Sequence, residues 1–255
     1  MADLVQRAAE LIVEARHVVA LTGAGISTPS GIPDFRSPGT GLWARFNPLE
    51  VATIYAFRNR PADFYAWIRP LAQLMLTAEP NRAHRALAEL QAADHLTTVI
   101  TQNIDGLHQR AGTREVVEIH GNIEAATCLQ CYRAYPRDRF LSALIEEGAI
   151  PTCPACGGIL KPNVILFGEA LPVQALMAAK RAANTCDLMM VAGSSLEVAP
   201  ASDLPMLAVT RQAHLIIINR EPTYLDHQGA AVFHDDVDQV LPEIVAVTRA
   251  VAAKD

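Results

Sequence analysis

Four of the five cysteines in this 255-residue chain form two closely spaced pairs, and their thiolates are good metal ligands. Cys128 pairs with Cys131 and Cys153 with Cys156 in Cys-x-x-Cys motifs. Four thiolates fill the tetrahedral shell of zinc, so the pattern predicts one structural ion with no position left for water. A redox dithiol is the alternative, although it needs only one such pair beside a thioredoxin-like strand and helix. We interpret the fifth cysteine, Cys186, as a buried core residue.

Two glycine-containing segments follow short apolar runs and could bind phosphate through backbone amides. Gly-Ala-Gly at 23–25 follows the run 18–22, and Gly-Ser-Ser at 193–195 follows the run 188–192. Glycine lets a backbone N–H approach a phosphate with no side chain in the way. The complete dinucleotide fingerprint is absent, because Thr28 occupies its third glycine position and no acidic strand end follows about 20 residues later. Tight turns without a ligand remain the alternative.

Polar side chains follow two further apolar runs, at the strand ends where ligands of open α/β sheets bind. The run 96–100 leads into Thr-Gln-Asn-Ile-Asp at 101–105, and the run 116–119 leads into His120 and Gly121. The segment 101–105 could bind sugar hydroxyls or an amide, and His120 is a candidate for proton transfer. The alternatives are helix capping by the Asn and Asp of that segment and a purely structural histidine. The other seven histidines have no comparable context.

The apolar runs that must position these polar segments alternate with helical patterns. Five short runs are mostly apolar, as expected of strands covered on both faces: 18–22, 96–101, 116–119, 188–192 and 215–218. Helical spacing occurs at 3–15, 81–93 (with Asn81 as N-cap), 172–183, 201–211 and in a last helix carrying Val237, Val240, Leu241, Ile244 and Val245. The alternation predicts an α/β fold with a parallel sheet flanked by helices.

Two stretches interrupt this alternation. Residues 37–80 are rich in proline, glycine and aromatic residues, and residues 122–162 carry the cysteine pairs. We expect both to build a smaller module beside the sheet, with the ligand site in the crevice between module and core. The predicted division is a core of 1–36, 81–121 and 163–255, a helical insertion at 37–80 and a zinc-binding insertion at 122–162.

Composition limits the classes of protein and partner. The chain has 21 basic and 27 acidic side chains, a net charge of −6, and 51% hydrophobic residues. This hydrophobic share excludes disorder for the bulk of the chain. The negative charge without a basic block argues against direct nucleic-acid binding. There is no run of about 18–20 apolar residues for a membrane helix and no signal peptide, so we expect a cytoplasmic protein without membrane partners.

Taken together, the motifs resemble those of the sirtuins, the NAD-dependent protein deacylases. They run in order over nearly the whole chain and are most similar to prokaryotic members without terminal extensions. The matching segments are GAGISTPSGIPDFR at 23–36, PNRAH at 80–84, TQNIDGLHQRAG at 101–112, HG at 120–121, the cysteine pairs, KPNVILFGE at 161–169, GSS at 193–195 and IN at 218–219. Two small departures are Ser195, where threonine is frequent, and Lys161, where arginine is usual.

The resemblance implies a Rossmann-like core that binds NAD as a co-substrate, beside a module made of a helical insertion and a zinc ribbon. The residues it assigns to NAD are Gly23, Ala24, Gly25, Thr28, Asp34, Phe35, Arg36, Gln102, Ile104, Asp105, Gly193, Ser194, Ser195, Asn219 and Val237. Residues 34–36 would belong to a mobile cofactor loop, in which Phe35 screens the reactive ribose from water. An acetyl-lysine peptide would add as a strand along Ile165, Phe167, Gly168 and Glu169.

The reaction implied by the resemblance is removal of an acetyl group from lysine at the expense of NAD. Nicotinamide leaves the ribose through an oxocarbenium-like state, and the acetyl oxygen captures the exposed carbon. His120 then acts as general base on a ribose hydroxyl, while Asn103 orients ribose and water. The acetyl group ends on ADP-ribose. A mono-ADP-ribosyltransferase on the same scaffold is the main alternative, and a non-enzymatic zinc-ribbon interaction protein is the next.

The segment Phe-Tyr-Ala-Trp-Ile-Arg at 64–69 makes a prediction about the acyl chain. Sirtuins that prefer acidic acyl groups resemble one another in a Tyr-x-x-Arg pair. Tyr65 matches, but Ile68 stands three residues later, and Arg69 is one position late. One residue rotates a helical side chain by about 100°, so Arg69 should point away from the pocket. We expect efficient removal of acetyl, tolerance of propionyl or butyryl, and poor removal of succinyl, unless 64–69 only packs the core of the module.

Overall fold

The computed structural model of the protein describes residues 1–37 and 39–253. The strands are β1 (Val18–Thr22), β2 (Thr98–Thr101), β3 (Val116–Glu118), β4 (Gly121–Cys128), β5 (Ala134–Pro136), β6 (Leu160–Val164), β7 (Leu188–Ala192), β8 (His214–Ile218) and β9 (Ala231–Phe233). The α-helices are α1 (Ala2–Glu14), α2 (Pro48–Val51), α3 (Ile54–Asn59), α4 (Pro61–Thr77), α5 (Arg82–Ala92), α6 (Leu107–Arg110), α7 (Asp138–Ile145), α8 (Val173–Thr185), α9 (Leu204–Val209) and α10 (Val237–Ala252). The predicted ranges 37–80 and 163–255 include positions 38, 254 and 255, which lie outside the described residues.

A six-stranded parallel sheet forms the core, in the order β3-β2-β1-β7-β8-β9. Renumbered within this sheet the order is 3-2-1-4-5-6, which is the order of the Rossmann fold. The five predicted strands are all present, and the run predicted from residue 96 begins at Thr98. The sixth strand, β9, was not among the predicted strands.

Helices cover both faces of this sheet, because successive side chains of a strand point to opposite faces. Val18 and Ala20 of β1 pack in the cluster that contains α1, α5 and α10. Val19 and Leu21 pack in the cluster that contains α8 and α9. Asn81 caps α5 as predicted, since its Oδ1 accepts from the N–H groups of the second and third following residues. Within 1–37 and 39–253, no helix has the length and apolarity needed to span a membrane.

The two segments that interrupt the alternation fold together into a smaller module. β4 pairs antiparallel with β5 and with β6, so that β6 lies at the edge of a three-stranded sheet. One buried cluster joins Phe57, Phe64 and Trp67 of the helical segment to Phe140 and Leu160 of the cysteine-bearing segment. The predicted fold class, a Rossmann-like core with a smaller helical and zinc-ribbon module, is therefore confirmed.

Candidate active site

A cavity of about 790 Å³ lies at the carboxyl edge of the main sheet, against the smaller module. Its lining includes the segments that follow β1, β2, β7 and β8. The order of the main sheet reverses between β1 and β7, which is where a Rossmann fold binds its ligand. Every residue that the resemblance assigns to NAD, to catalysis or to the peptide lines this one cavity, from Gly23 after β1 to Val237 at the start of α10.

Glycines allow the loops after β1 and β7 to touch backbone to backbone. The N–H of Gly25 donates to the carbonyl oxygen of Gly193 at 2.9 Å. A Cβ on Gly25 would lie 2.9 Å from the Cα of Gly193, and a Cβ on Gly193 would lie 2.3 Å from the nitrogen of Ile26. Gly193 also has a φ of +62°, which favours glycine. The close contact between the two loops therefore requires glycine at these positions. This requirement is separate from the approach to phosphate that the sequence suggested.

Asn103 is held in one orientation by a chain of buried hydrogen bonds. Its Nδ2 donates to the Gly23 carbonyl oxygen and to Ser27 Oγ, each at 3.0 Å. Ser27 Oγ donates in turn to Asp105 Oδ2 at 2.7 Å, and Asp105 Oδ1 accepts from the Leu107 N–H. Burial raises the pKa of Asp105, although these hydrogen bonds oppose the rise. Among the described residues Asn103 Oδ1 has no hydrogen-bond donor, so it is available to a ligand in the cavity.

A second chain of buried hydrogen bonds lies behind Asn103. It involves His108, and the ring of His84 packs beside it. The Asn103 N–H donates to Thr101 Oγ1 at 3.1 Å, and Thr22 Oγ1 donates to the same oxygen at 2.9 Å. His108 Nε2 lies 2.9 Å from Thr22 Oγ1 and must donate, because the single Thr22 hydroxyl proton is already used. His84 packs edge-on against His108 at 4.9 Å between ring centroids. No role was predicted for these two histidines, although both lie in segments that carry the family resemblance, at 80–84 and 101–112.

Both histidines are neutral in the folded protein. Burial lowers the pKa of His84 to about 3, with a smaller contribution from neighbouring His108, and lowers that of His108 to about 4. Neither ring nitrogen of His84 has a hydrogen-bond partner within the described part of the chain. Because both rings are neutral, the pair can support the hydrogen bonds behind Asn103 without adding a positive charge there.

His120 lies in the cavity wall with one ring nitrogen engaged. Its Nδ1 lies 3.0 Å from the carbonyl oxygen of Gln102, which can only accept, so Nδ1 carries the proton. Nε2 is then the unprotonated nitrogen. Burial lowers the pKa of His120 below its ordinary value, against the effect of the bond to Gln102. The ring is therefore neutral near pH 7 and able to accept a proton at Nε2.

The segment 34–36 forms a turn in the cavity wall. Asp34 Oδ1 accepts from the N–H of Arg36 at 2.9 Å, and the Arg36 Nε lies 2.6 Å from a carboxylate oxygen of Glu197. Phe35 stacks on Trp43, with ring centroids 5.0 Å apart. Trp43 also lines the cavity, and it was not among the predicted residues.

The helix α4 presents an apolar wall to the cavity, and Ile68 belongs to it. Arg69 points away as predicted, because its guanidinium donates to the carbonyl oxygen of Gly148. Tyr65 is buried, and its hydroxyl donates to the carbonyl oxygen of Leu160 instead of facing the cavity. Neither group of the Tyr-x-x-Arg pattern is thus available to an acidic acyl group.

The predicted peptide-binding residues Ile165, Phe167, Gly168 and Glu169 line the cavity directly after β6. One oxygen of the Glu169 carboxylate, however, is already engaged by another side chain. Its Oε2 lies 2.9 Å from Lys161 Nζ. Burial lowers the pKa of Lys161, whereas the Glu169 carboxylate raises it.

The four paired cysteines converge on one point of the smaller module, with all four sulfurs within 4.8 Å of one another. Cys128 Sγ lies 3.5 Å from Cys156 Sγ, and Cys131 Sγ lies 3.6 Å from Cys153 Sγ. Zinc–sulfur bonds of about 2.3 Å in a tetrahedron place sulfurs about 3.8 Å apart, so the cluster fits zinc. These cysteines are not among the described residues that line the cavity, which agrees with a structural ion. Cys186 is buried elsewhere, as predicted.

The model of the Sir2 family matches residues 23–200, which contain the glycine loops, Asn103, His120 and the four-cysteine cluster. The chain belongs to the Sir2 family. An NAD-dependent protein deacetylase of Thermodesulfovibrio yellowstonii is 44% identical over 247 residues, which cover 97% of this chain and 96% of that protein.

Solved Sir2 structures match the fold over most of its length. One Sir2 enzyme is 43% identical, with a TM-score of 0.93, and the match covers 98% of this chain and 100% of that one. A second Sir2 structure contains a deacetylated p53 peptide and 3′-O-acetyl-ADP-ribose. It is 39% identical, with a TM-score of 0.89, over 93% of this chain and 96% of that one.

Proposed function

We propose that this chain is an NAD-dependent protein lysine deacetylase that transfers the acetyl group to ADP-ribose and releases nicotinamide. The observation that carries the proposal is His120, a neutral imidazole with its Nε2 unprotonated, in the wall of the cavity where the NAD and peptide residues converge. Membership of the Sir2 family and 44% identity to an NAD-dependent protein deacetylase support the same activity.

NAD, when bound, supplies an electrophilic ribose carbon, and we assign its binding to the loops at the carboxyl edge of the main sheet. Ala24, Gly25 and Thr28 would line the pyrophosphate and the adjoining ribose, and Ser194 and Ser195 would contact phosphate. The contact between the two glycine-containing loops supports this assignment, because it brings two sets of backbone amides to one place.

The two ends of NAD would lie on opposite sides of these loops. Asn219 would bind the adenine-side ribose and Val237 the adenine. The nicotinamide ribose and carboxamide would be held by Gln102, Asn103, Ile104 and Asp105. The fixed orientation of Asn103, whose Oδ1 is available, supports its role in orienting the ribose and a water molecule.

We assign the proton transfer to His120. Its Nε2 would accept a proton from a ribose hydroxyl, and the hydroxyl oxygen would attack the acyl carbon. The bond from that carbon to the lysine nitrogen then breaks, so the amine is released and the acetyl group stays on ADP-ribose. Such general-base assistance typically contributes about 10²–10⁴-fold. Phe35, with Asp34 and Arg36 beside it, would exclude water from the reacting carbon; the stacking of Phe35 on Trp43 supports this placement.

The partner would be a protein or peptide that carries acetyl-lysine, bound as an added strand beside Ile165, Phe167 and Gly168. The position of β6 at the edge of its sheet supports this mode of binding. Within the described part of the chain, the Ile165 carbonyl oxygen and the Gly168 N–H have no hydrogen-bond partner, so they are available to a peptide strand. Trp43, Ile68 and Phe167 would surround the neutral acyl group.

Mono-ADP-ribosyl transfer on the same scaffold would use the same NAD pocket but pass ADP-ribose to a protein side chain. Nicotinamide release, measured with and without an acetylated peptide, distinguishes the activities. Release that depends on the acetylated peptide, with acetyl-ADP-ribose in the mass spectrum, supports the deacetylase. Transfer of labelled ADP-ribose to protein without acetyl-ADP-ribose would favour the transferase, and no release at all would favour a binding protein.

Three further assignments belong to the same proposal. We divide the chain into the core 1–36, 81–121 and 163–255 and the insertions 37–80 and 122–162; the shared hydrophobic cluster of the insertions supports this division. We place the enzyme in the cytoplasm, where reduced cysteines and NAD are both available. The net charge of −6 supports a protein partner rather than direct nucleic-acid binding.

A further inference from the structure

A lysine that does not line the cavity links β6 to both ends of the segment proposed to bind the peptide. Lys161 lies in β6, is 7% exposed, and is not one of the described residues that line the cavity. Its Nζ donates to the Val164 carbonyl oxygen at 2.7 Å and to the Pro162 carbonyl oxygen at 3.2 Å, and it lies 2.9 Å from Glu169 Oε2. An ammonium group has three N–H donors, so this set accounts for all of them.

The Glu169 carboxylate, which contacts Lys161, also binds the backbone of the turn after β6. Its Oε2 also accepts from the N–H of Leu166 at 2.8 Å, and the N–H of Glu169 donates to the Leu166 carbonyl oxygen at 3.0 Å. Gly168 within this turn has a φ of +85°. Lys161 and Glu169 therefore fix both ends of the segment 164–169, every residue of which lines the cavity.

The same segment is joined by its backbone to the catalytic histidine and to the helical insertion. The N–H of Ile165 donates to the His120 carbonyl oxygen at 2.8 Å. The N–H of Phe167 donates to the Ala52 carbonyl oxygen at 2.9 Å, and its carbonyl oxygen accepts from the N–H of Ile54 at 3.0 Å. A shift of 164–169 would thus change the distance between the peptide strand and His120, on which the reaction depends.

Stability alone is a poor reason for a buried lysine at this position. Removing an ammonium and a carboxylate from water is costly, and apolar residues of similar size are often at least as stabilising. What an apolar residue cannot supply is a set of donors that fixes particular backbone carbonyls. We propose that Lys161 is a positioning residue for the acyl-peptide: through Glu169 and the carbonyls of Val164 and Pro162 it holds 164–169 in the conformation that binds the peptide strand. This inference rests on the proposed deacetylase function.

The test compares Lys161→Met, which keeps the length and apolar volume, with the conservative variant Lys161→Arg. Lys180→Met, on the exposed face of α8, is the control for loss of one positive charge. Peptide affinity is measured directly, by anisotropy of a fluorescent acetyl-lysine peptide, and KM is measured separately for peptide and for NAD. Assays are run well below the melting temperature of each variant.

We expect Lys161→Met to weaken peptide binding and raise the peptide KM by about tenfold or more, with the NAD KM within about twofold of the wild type. Lys161→Arg should recover most of the affinity, and Lys180→Met should match the wild type. Equal increases in both KM values, unchanged peptide affinity, or no recovery in Lys161→Arg would overturn the inference. A wild-type protein that does not deacetylate in the same assay would instead refute the proposed function.

Discussion

His120 Nδ1 lies 3.0 Å from the carbonyl oxygen of Gln102, so the segment that follows β2 orients the imidazole that follows β3. The two strands are neighbours in the sheet, which brings their carboxyl ends to one edge. The bond fixes the tautomer and leaves Nε2 as the proton acceptor. A main-chain carbonyl performs here the orienting role that a carboxylate performs in many catalytic histidines.

Replacing His120 by alanine should abolish deacetylation while NAD still binds. We expect deacetylation to fall by about 10²–10⁴-fold or more, because the proposed general base is lost. Exchange of labelled nicotinamide should survive better, since in the proposed mechanism His120 acts after the bond to nicotinamide breaks. Asn103→Ala should reduce both exchange and deacetylation. Turnover in His120→Ala equal to that of the wild type would remove His120 from the mechanism.

Metal analysis should find one zinc per chain, and Cys128→Ser should lose it. Structural zinc contributes directly to folding, so this variant should melt at a lower temperature and lose activity by misfolding of the module. Cys186→Ala is the matched control, because Cys186 is buried away from the cluster and should leave the zinc content at one. Active wild-type protein without zinc would contradict the assignment.

The acyl prediction is tested with acetylated and succinylated forms of one peptide. A succinyl carboxylate would be buried without a partner, because Arg69 and the Tyr65 hydroxyl donate to main-chain carbonyls elsewhere. We expect kcat/KM to be much higher for the acetylated peptide, and Ile68→Arg to raise the succinyl-to-acetyl ratio by about tenfold or more.

Tyr65→Phe serves as the control for Ile68→Arg. It should lower stability through loss of the bond to the Leu160 carbonyl but leave the acyl ratio unchanged. An unchanged ratio in Ile68→Arg would show that 64–69 only packs the module, and equal efficiency of the wild type on both peptides would contradict the predicted preference.

The buried histidine pair should make the folded state sensitive to acid. The pKa values are about 3 for His84 and about 4 for His108 in the fold, against about 6.5 in an unfolded chain. As the pH falls below about 6.5, the unfolded chain binds protons that the folded chain does not, so stability is lost progressively down to about pH 3, the lower of the two folded-state values. We expect the free energy of unfolding to fall by about 2–4 kcal/mol between pH 7 and pH 5.

Urea unfolding at several pH values measures this slope. His84→Gln should flatten it, whatever its effect on stability at pH 7, because one of the two groups no longer titrates. His227→Gln removes an exposed histidine and should keep the slope of the wild type. A slope in His84→Gln equal to that of the wild type would show that the pair does not cause the acid sensitivity.

Local sequence was sufficient for most of the architecture. Five of the six main-sheet strands were predicted from short, mostly apolar runs, which covered strands favour, and the cysteine spacing predicted the four-cysteine cluster. The short strand β9 left no periodic signal. The sequence also predicted that Arg69 points away from the cavity, because a shift of one residue rotates a helical side chain by about 100°.

Only the tertiary structure decided which distant groups meet. That Gly25 packs on Gly193, that His108 reaches Asn103 through Thr22 and Thr101, and that Tyr65 donates to Leu160 all depend on crossovers between segments far apart in the chain. The tautomer of His120 and two of the three bonds of Lys161 follow from main-chain carbonyls, which every residue type carries. Backbone groups have no signature in the sequence, so contacts made through them become visible only when the chain is folded.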